Sequence, residues 1–396
     1  MIIGVPKEIL LKELRVAATP QTVKKLIKDG HSVLVEKGAG ENSFYHDEEY
    51  IDAGASIIDC VKDLYSQAEV ILKVKEPQIN ENLGVHEIDL MHEGQILITF
   101  LHPASPQNHK MVLKLAEKGI ISLTLDGVPR ISRAQPMDPL SSMSACAGYK
   151  GVLIAANSIS KFMPMVGSAV GMIKPATVLV VGTGVAGLRA IATAKGLGAQ
   201  VFAVDIREEA NEQAKSLGAR IIDLDIPSKI AVSKDGKHAN ELPDKYLQKE
   251  REVLSEHVKN ADIIILSALV FGKEAPIIIT KEMVESMKPD SYIVDISIDQ
   301  GGNCELSVAG EVIKHGSVTI DGTKNLPGLI PTSSTYMFAE NVYNLVKYVI
   351  VDNKLNLDLK DEIISSILVT HKNKLVHEGT KEAMRKHKWQ PYKLSY

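Results

Sequence analysis

Two short stretches of this chain carry residue types that can do chemistry. Residues 130–142 read Arg-Ile-Ser-Arg-Ala-Gln-Pro-Met-Asp-Pro-Leu-Ser-Ser, so one proline-punctuated loop holds two guanidinium groups, an amide, a carboxylate and hydroxyls. About forty residues further on, Gly182-Thr183-Gly184-Val185-Ala186-Gly187 follows a wholly apolar run, Thr177–Val181, and opens a helix-like run, Val185–Leu197. In that setting the first glycine permits a tight turn and the second lets the backbone approach a pyrophosphate. The third lets helix pack closely on strand, and the helix N-terminus supplies N–H donors and the positive end of its dipole. The next strand, Gln200–Val204, ends at Asp205, eighteen positions after Gly187. An acid there accepts hydrogen bonds from adenosine ribose hydroxyls and repels a 2′-phosphate, which favours NAD(H) over NADP(H). The expected contacts are Gly182, Gly184, Val185, Ala186, Gly187 and Asp205 with Ile206; Arg207 either lines the adenosine pocket or is solvated.

The elements that must position these groups alternate strands with helices. Ser32–Glu36, Val70–Val74 and Ile96–Phe100 read as strands, and Gln21–Asp29 and Gln107–Lys118 as helices. Strands recur at Ile263–Leu266, Tyr292–Ile296 and Ser317–Ile320, and the small-residue-rich stretch from Pro139 to Phe162 reads as a helix joining two domains. This is the pattern of parallel sheets covered by helices. The helical pattern from Tyr336 to Val351 returns to the first domain. The expected fold is therefore α/β with two domains: a Rossmann dinucleotide-binding domain, 139–328, inserted into a discontinuous Rossmann-like (flavodoxin-like) domain formed by 1–138 and 329–396. Between Ile222 and Glu252 the apolar rhythm fails, which predicts a long functional or disordered loop.

Composition limits the function. A chain of 396 residues exceeds one ordinary core, and 45% hydrophobic with 24% charged residues is a globular balance. A net charge of −4 provides no basic footprint for nucleic acid. Cys60, Cys146 and Cys304 are too scattered for a CxxC pair, so reduced thiols and no metal site are expected. No secretory leader and no apolar run of membrane-spanning length is read.

The run from Arg130 to Ser142, together with the glycine fingerprint, resembles the NAD(H)-binding subunit of proton-translocating nicotinamide nucleotide transhydrogenase, a family related to the alanine dehydrogenases. Ser267–Pro276, Gly301–Glu305 and the tail around Leu355–Glu378 extend the resemblance over nearly the whole chain. It implies that Arg130, Gln135, Asp138 and Ser141 surround the nicotinamide, with Ala268, Leu269 and Asp299 also in contact. A carboxamide both donates and accepts, so an amide, an acid and a hydroxyl can orient the ring, while Arg130 bridges to phosphate or ribose. It also implies a homodimer, NADP(H) bound only on a partner, membrane-embedded partner subunits and a cytoplasmic, peripheral place at the inner membrane. The loop near Gly236 falls where the family has a mobile loop, but Lys237 and His238 stand where a tyrosine is usual.

The first hundred residues look equally like alanine dehydrogenase. In that family an arginine and a lysine, here Arg15 and Lys75, hold the keto-acid substrate, while a histidine and an aspartate, here His102 and Asp299, handle protons. Transhydrogenase subunits commonly lack that histidine and aspartate. The bland alternatives are an interdomain ion pair for Arg15 and Lys75, and a backbone-bonded histidine at 102. Three readings stay open: the transhydrogenase subunit, an NAD-dependent alanine dehydrogenase, and a non-catalytic nucleotide sensor.

Overall fold

A computed structural model describes residues 1–232, 239–270 and 274–386. The chain divides into two compact units, one made of Met1–Met143 with Ile330–Tyr396 and the other of Ser144–Leu329. The division falls inside the helix Pro139–Ser158.

In the first unit, strands β1 (Ile2–Val5), β2 (Ser32–Glu36), β3 (Ser56–Ile58), β4 (Val70–Leu72), β5 (Ile96–Thr99) and β6 (Ile121–Thr124) are parallel and ordered β3-β2-β1-β4-β5-β6. In the second, β7 (Thr177–Val181), β8 (Gln200–Val204), β9 (Arg220–Ile221), β10 (Ile263–Leu266), β11 (Tyr292–Asp295), β12 (Val312–His315) and β13 (Val318–Asp321) are ordered β9-β8-β7-β10-β11-β13-β12. Of these seven, only β12 runs antiparallel. The chain then returns to the first sheet with β14 (Leu368–His371), antiparallel to β6, and β15 (Lys374–Leu375), antiparallel to β14. The central strands are apolar on both faces because helices cover both: Ile263–Leu266, for example, is buried at every residue.

Both sheets are doubly wound. The first follows the 3-2-1-4-5-6 strand order of a Rossmann sheet, and without its short edge strand β3 the order is the 2-1-3-4-5 of a flavodoxin. In such sheets the strand order reverses at one point, and ligands bind outside the carboxyl ends of the strands flanking it. Those points lie between β1 and β4 in the first unit and between β7 and β10 in the second.

The expected loop ends in a helix. Asp244–Asn260 begins inside the stretch where the apolar rhythm fails, Ile222 to Glu252, and continues beyond it. Its buried positions are Glu250, Leu254 and Val258, so a carboxylic acid occupies a place in the apolar stripe and disguises it. Lys237 and His238 lie outside the described residues. Among the described residues no helix is long and apolar enough to cross a membrane, and no group of three or more His, Cys, Asp or Glu could hold a metal ion.

Candidate functional site

The glycine turn of the second unit has distinct steric reasons for its residues. Gly182 adopts φ +85°, and a Cβ on it would stand 2.7 Å from the backbone nitrogen of Ala268. A Cβ on Gly187 would collide with the Gly182 carbonyl oxygen, so the helix Val185–Gly196 sits on β7 as closely as backbone permits. Gly184, the N-cap residue, has nothing within 4 Å of where its Cβ would be. Crowding beneath the turn and open space above it are what a backbone cradle for a pyrophosphate requires.

Asp205 follows β8 and is nearly buried, with its side chain 7% exposed. Its carboxylate accepts the Thr183 N–H at 2.8 Å and the Arg207 N–H, Nε and Nη2 at 2.9, 3.0 and 3.0 Å. Arg207 folds back on the acid beside it, with its side chain 21% exposed. Asn211 braces the Asp205 backbone from both sides, accepting its N–H at 2.9 Å and donating to its carbonyl at 2.8 Å. Glu250 is 4% exposed, and burial, reinforced by the Asp205 charge, pushes its carboxyl up to about 7. Sequence reasoning missed Glu250 because its helix was not recognised.

Across the switch point, the Ser267 hydroxyl donates to the Gly182 carbonyl at 2.9 Å. Ala268 gives its N–H to Asn303 Oδ1 at 2.9 Å, and its carbonyl receives Asn303 Nδ2 at 2.8 Å. Both of its backbone polar groups are thus hydrogen-bonded. Leu269 is 42% exposed. Asp299 is exposed on the turn Ile296–Gln300, in the second unit, whereas Arg15, Lys75 and His102 belong to the first.

The polar loop of the first unit is a 3-10 turn, Ser132–Met137, with Ala134 and Met137 buried. Asn341 on the helix Pro331–Val349 pins it by donating to the Pro136 carbonyl at 2.8 Å. Burying the two apolar residues turns Arg130 and Gln135 outward, where their side chains make no hydrogen bond to described residues. Arg133 is tied to Asp361 and Tyr348, at 2.8 and 2.6 Å. Asp138 is buried and accepts the Ser141 N–H at 3.0 Å and hydroxyl at 2.6 Å. That is an N-cap for the helix Pro139–Ser158, a local job the sequence did not reveal.

At the other switch point, after β1, β4, β5 and β6, a second polar group gathers. Arg15 is buried and pairs with Glu13 through Nε and Nη2, at 2.7 and 2.6 Å, while its Nη1 points at Met143 Sδ, 2.9 Å away. Glu13, two residues away, is thus one partner of Arg15 within the same unit. Lys75 is half-buried and has no ion pair among the described residues. Lys73 is fully buried between Glu87 at 2.9 Å and Glu8 at 3.5 Å. Burial pushes Glu8 up to about 7 against the attraction of Lys73, and its Oε1 accepts the Val74 N–H at 2.6 Å.

His102 adopts φ +44° at the end of β5, in left-handed backbone that a histidine seldom takes. Its Nδ1 lies 2.6 Å from Asp126 Oδ1, and its N–H donates to Asp126 Oδ2 at 2.7 Å. Its ring stacks on Phe100, with centroids 5.7 Å apart. Burial works against the imidazolium, but the Asp126 carboxylate outweighs it and raises His102 above its ordinary range. Asp126, despite its own burial, is held at about 2 by His102. Asp126 was not singled out from the sequence, although a polar residue just past a buried strand, in Thr124-Leu125-Asp126-Gly127, is where such a partner would be sought.

Two doubly wound sheets, one bearing a dinucleotide-type glycine turn at its switch point, define the class of protein. The models of the alanine dehydrogenase/PNT family match it, the C-terminal domain over residues 151–378 and the N-terminal domain over 4–147. The chain is 41% identical over 380 residues to an NAD(P) transhydrogenase alpha subunit of Rhodospirillum rubrum, a match that covers 95% of this chain and 98% of that one. An alanine dehydrogenase of Methanococcus maripaludis is 35% identical over 349 residues, 85% of this chain and 84% of that one. A solved transhydrogenase structure from Sinorhizobium meliloti is similar with a TM-score of 0.83 at 37% identity, covering 95% of this chain and 100% of that one. The chain belongs to the alanine dehydrogenase/PNT family.

Proposed function

We propose that this chain is the NAD(H)-binding subunit of a proton-translocating transhydrogenase, an oxidoreductase that passes hydride from NADH to NADP⁺ held on a partner subunit. The observation that carries this reading is the Ser132–Met137 turn, which buries its apolar residues and leaves Arg130 and Gln135 outward and unpartnered among the described residues. Unused polar groups on a pinned turn suit a ligand better than they suit a linker.

Bound NAD(H) would supply hydride chemistry at its nicotinamide ring. The chain's own residues bind and orient. Gly182, Gly184 and the N–H groups of Val185, Ala186 and Gly187 cradle the pyrophosphate at the helix N-terminus. Asp205 takes the adenosine ribose hydroxyls in exchange for some of its bonds to Arg207, with Ile206 alongside, and its charge keeps out a 2′-phosphate. Gln135 orients the carboxamide and Arg130 reaches phosphate or ribose. Asp138 fixes the Ser141 hydroxyl and contributes its field from behind it. Membrane-embedded partner subunits, one of them holding NADP(H), couple the transfer to proton movement and keep this subunit at the cytoplasmic face of the inner membrane. A homodimer is supported by the hairpin Val166–Ser168/Gly171–Ile173, where Val170 is 93% and Met172 69% exposed.

A second reading, alanine dehydrogenase, is favoured by the His102–Asp126 pair, which has the make-up of a proton-handling dyad. Against it, Glu13 already fills one edge of Arg15 and a thioether faces Nη1, so a substrate carboxylate has little of the guanidinium left. The purified chain given NAD⁺ and L-alanine should reduce almost no cofactor, whereas adding an NADP(H)-binding transhydrogenase subunit should start hydride exchange. Ready turnover with alanine alone would replace the first reading by the second. Gln135→Asn should slow transfer at least tenfold, roughly the cost of misplacing the ring, while NADH affinity holds. Equal loss of both would remove the role given to Gln135.

A further inference from the structure

We infer that Asn303 is a positioning residue of the dinucleotide site, one that locks the Ala268 peptide as a wall of the switch-point crevice before any ligand arrives. The inference rests on the nucleotide reading of that crevice.

Asn303 is fully buried, and its side-chain amide has no valence left over. Oδ1 accepts the Ala268 N–H at 2.9 Å and the Ser297 hydroxyl at 2.7 Å. Nδ2 donates to the Ala268 carbonyl at 2.8 Å and to the Pro276 carbonyl at 2.9 Å. Holding both the N–H and the C=O of one residue is what a neighbouring strand does. The ladder between β10 and β11 stops at Leu266 and Asp295, so Asn303 replaces it just past the strand end.

The clamp is itself clamped. Asp295, the last residue of β11, is fully buried, and its Oδ2 accepts the N–H groups of Asn303 and Cys304 at 2.9 and 3.0 Å and the Ser307 hydroxyl at 2.7 Å. Gly302 lies at φ +86°, and a Cβ there would stand 2.7 Å from the same carboxylate oxygen. The Gly301-Gly302 pair thus lets the chain pass close enough for the amide to reach Ala268. On the opposite side, Ala268 lies against Gly182, and the Ser267 hydroxyl reaches the Gly182 carbonyl. One continuous set of bonds therefore joins the ends of β11, β10 and β7, which frame the crevice.

This placement makes the role specific to one end of the ligand. Asp205 marks the adenosine side on β8, and β10 lies on the other side of β7. Ala268 therefore borders the nicotinamide half of a dinucleotide spread across the switch point. Loosening Ala268 should weaken the whole dinucleotide and spare its adenosine fragment.

The test is isothermal titration of the full chain with NADH and with 5′-AMP. Asn303→Asp keeps the shape but turns an acceptor onto two carbonyl oxygens, and Ser297→Ala removes one bond to Oδ1 without burying a charge. We expect NADH affinity to fall roughly tenfold in Asn303→Asp and about threefold in Ser297→Ala, the scale of one or two buried hydrogen bonds. AMP affinity should stay within about twofold in both, and amide exchange at Ala268 should speed up. If Asn303→Asp does not fold, Ser297→Ala carries the test alone. Unchanged NADH affinity in a folded variant, or equal loss of NADH and AMP, overturns the role; failure of the parent chain to bind NADH overturns the nucleotide reading beneath it.

Discussion

Replacing Glu250 by Gln should stabilise the second unit, and by an amount that grows with pH. Glu250 sits in the apolar stripe of the helix Asp244–Asn260 with Leu254 and Val258, 4% exposed and without an ion pair among the described residues. Burial comes first in raising its carboxyl, the Asp205 charge second, and Arg251 pulls the other way without prevailing. The Arg251 guanidinium is turned to the Ile277 carbonyl, 2.5 Å from Nη2, which is why it compensates poorly. The carboxyl titrates near 7 in the folded chain against an ordinary 4.5. Between those values the folded state holds a proton that the unfolded state has released, so stability falls as pH rises and levels off above 7. The full difference is about 3 kcal/mol at pH 8, and less than about 1 kcal/mol remains at pH 5. Glutamine keeps the shape and never ionises. Urea unfolding followed by circular dichroism, at half-unit steps from pH 5 to 8, should show the stability difference between Glu250→Gln and the parent widening by about 2.5 kcal/mol. A difference that stays flat, or that narrows with rising pH, would mean that Glu250 titrates like an exposed acid and that the burial argument is wrong.

Other expectations follow from single contacts. Asp126→Asn should lower the His102 pKa, because the carboxylate that raises it loses its charge; ring-proton NMR titration reads the shift, and an unmoved histidine would dissolve the dyad. Gly187→Ala drives a methyl group into the Gly182 carbonyl and should cost about 2 kcal/mol of stability together with NADH binding, read by thermal melting and titration. Asp138→Ala should lose about 1 kcal/mol of helix capping while Asp138→Asn loses much less, a contrast that denaturant midpoints would expose. Val170→Lys with Met172→Lys should convert a dimer into monomers in sedimentation velocity without lowering the melting temperature, since both side chains are exposed in the single chain; a dimer that persists moves the interface elsewhere.

Much of the second unit is legible in the residues alone. Thr177–Val181, the glycine turn and the following helix announce themselves because a parallel strand must be apolar on both faces and because only glycine fits where backbone meets backbone. Asp205 is legible by its spacing from that turn. The helix Asp244–Asn260 is not, since a glutamate stands at one of its core positions and polar residues dominate the rest. The strands at Ser56–Ile58, Ile121–Thr124 and Leu368–His371 are short, and the last pairs antiparallel with a strand some 250 residues earlier, a partnership no local window can register.

The candidate site divides in the same way. Residue types and spacing determined by themselves that the chain is an α/β protein with a glycine turn after a buried strand, an acid at the end of the next strand and a polar loop, because backbone sterics and charge are local properties. Which polar groups are spoken for was decided only by packing. Asp138 is a cap, Arg207 is bound to Asp205, Arg15 to Glu13, and both backbone groups of Ala268 to Asn303. A buried donor or acceptor must find a partner wherever the fold brings one, so pairing depends on distances in space that the order of residues does not contain.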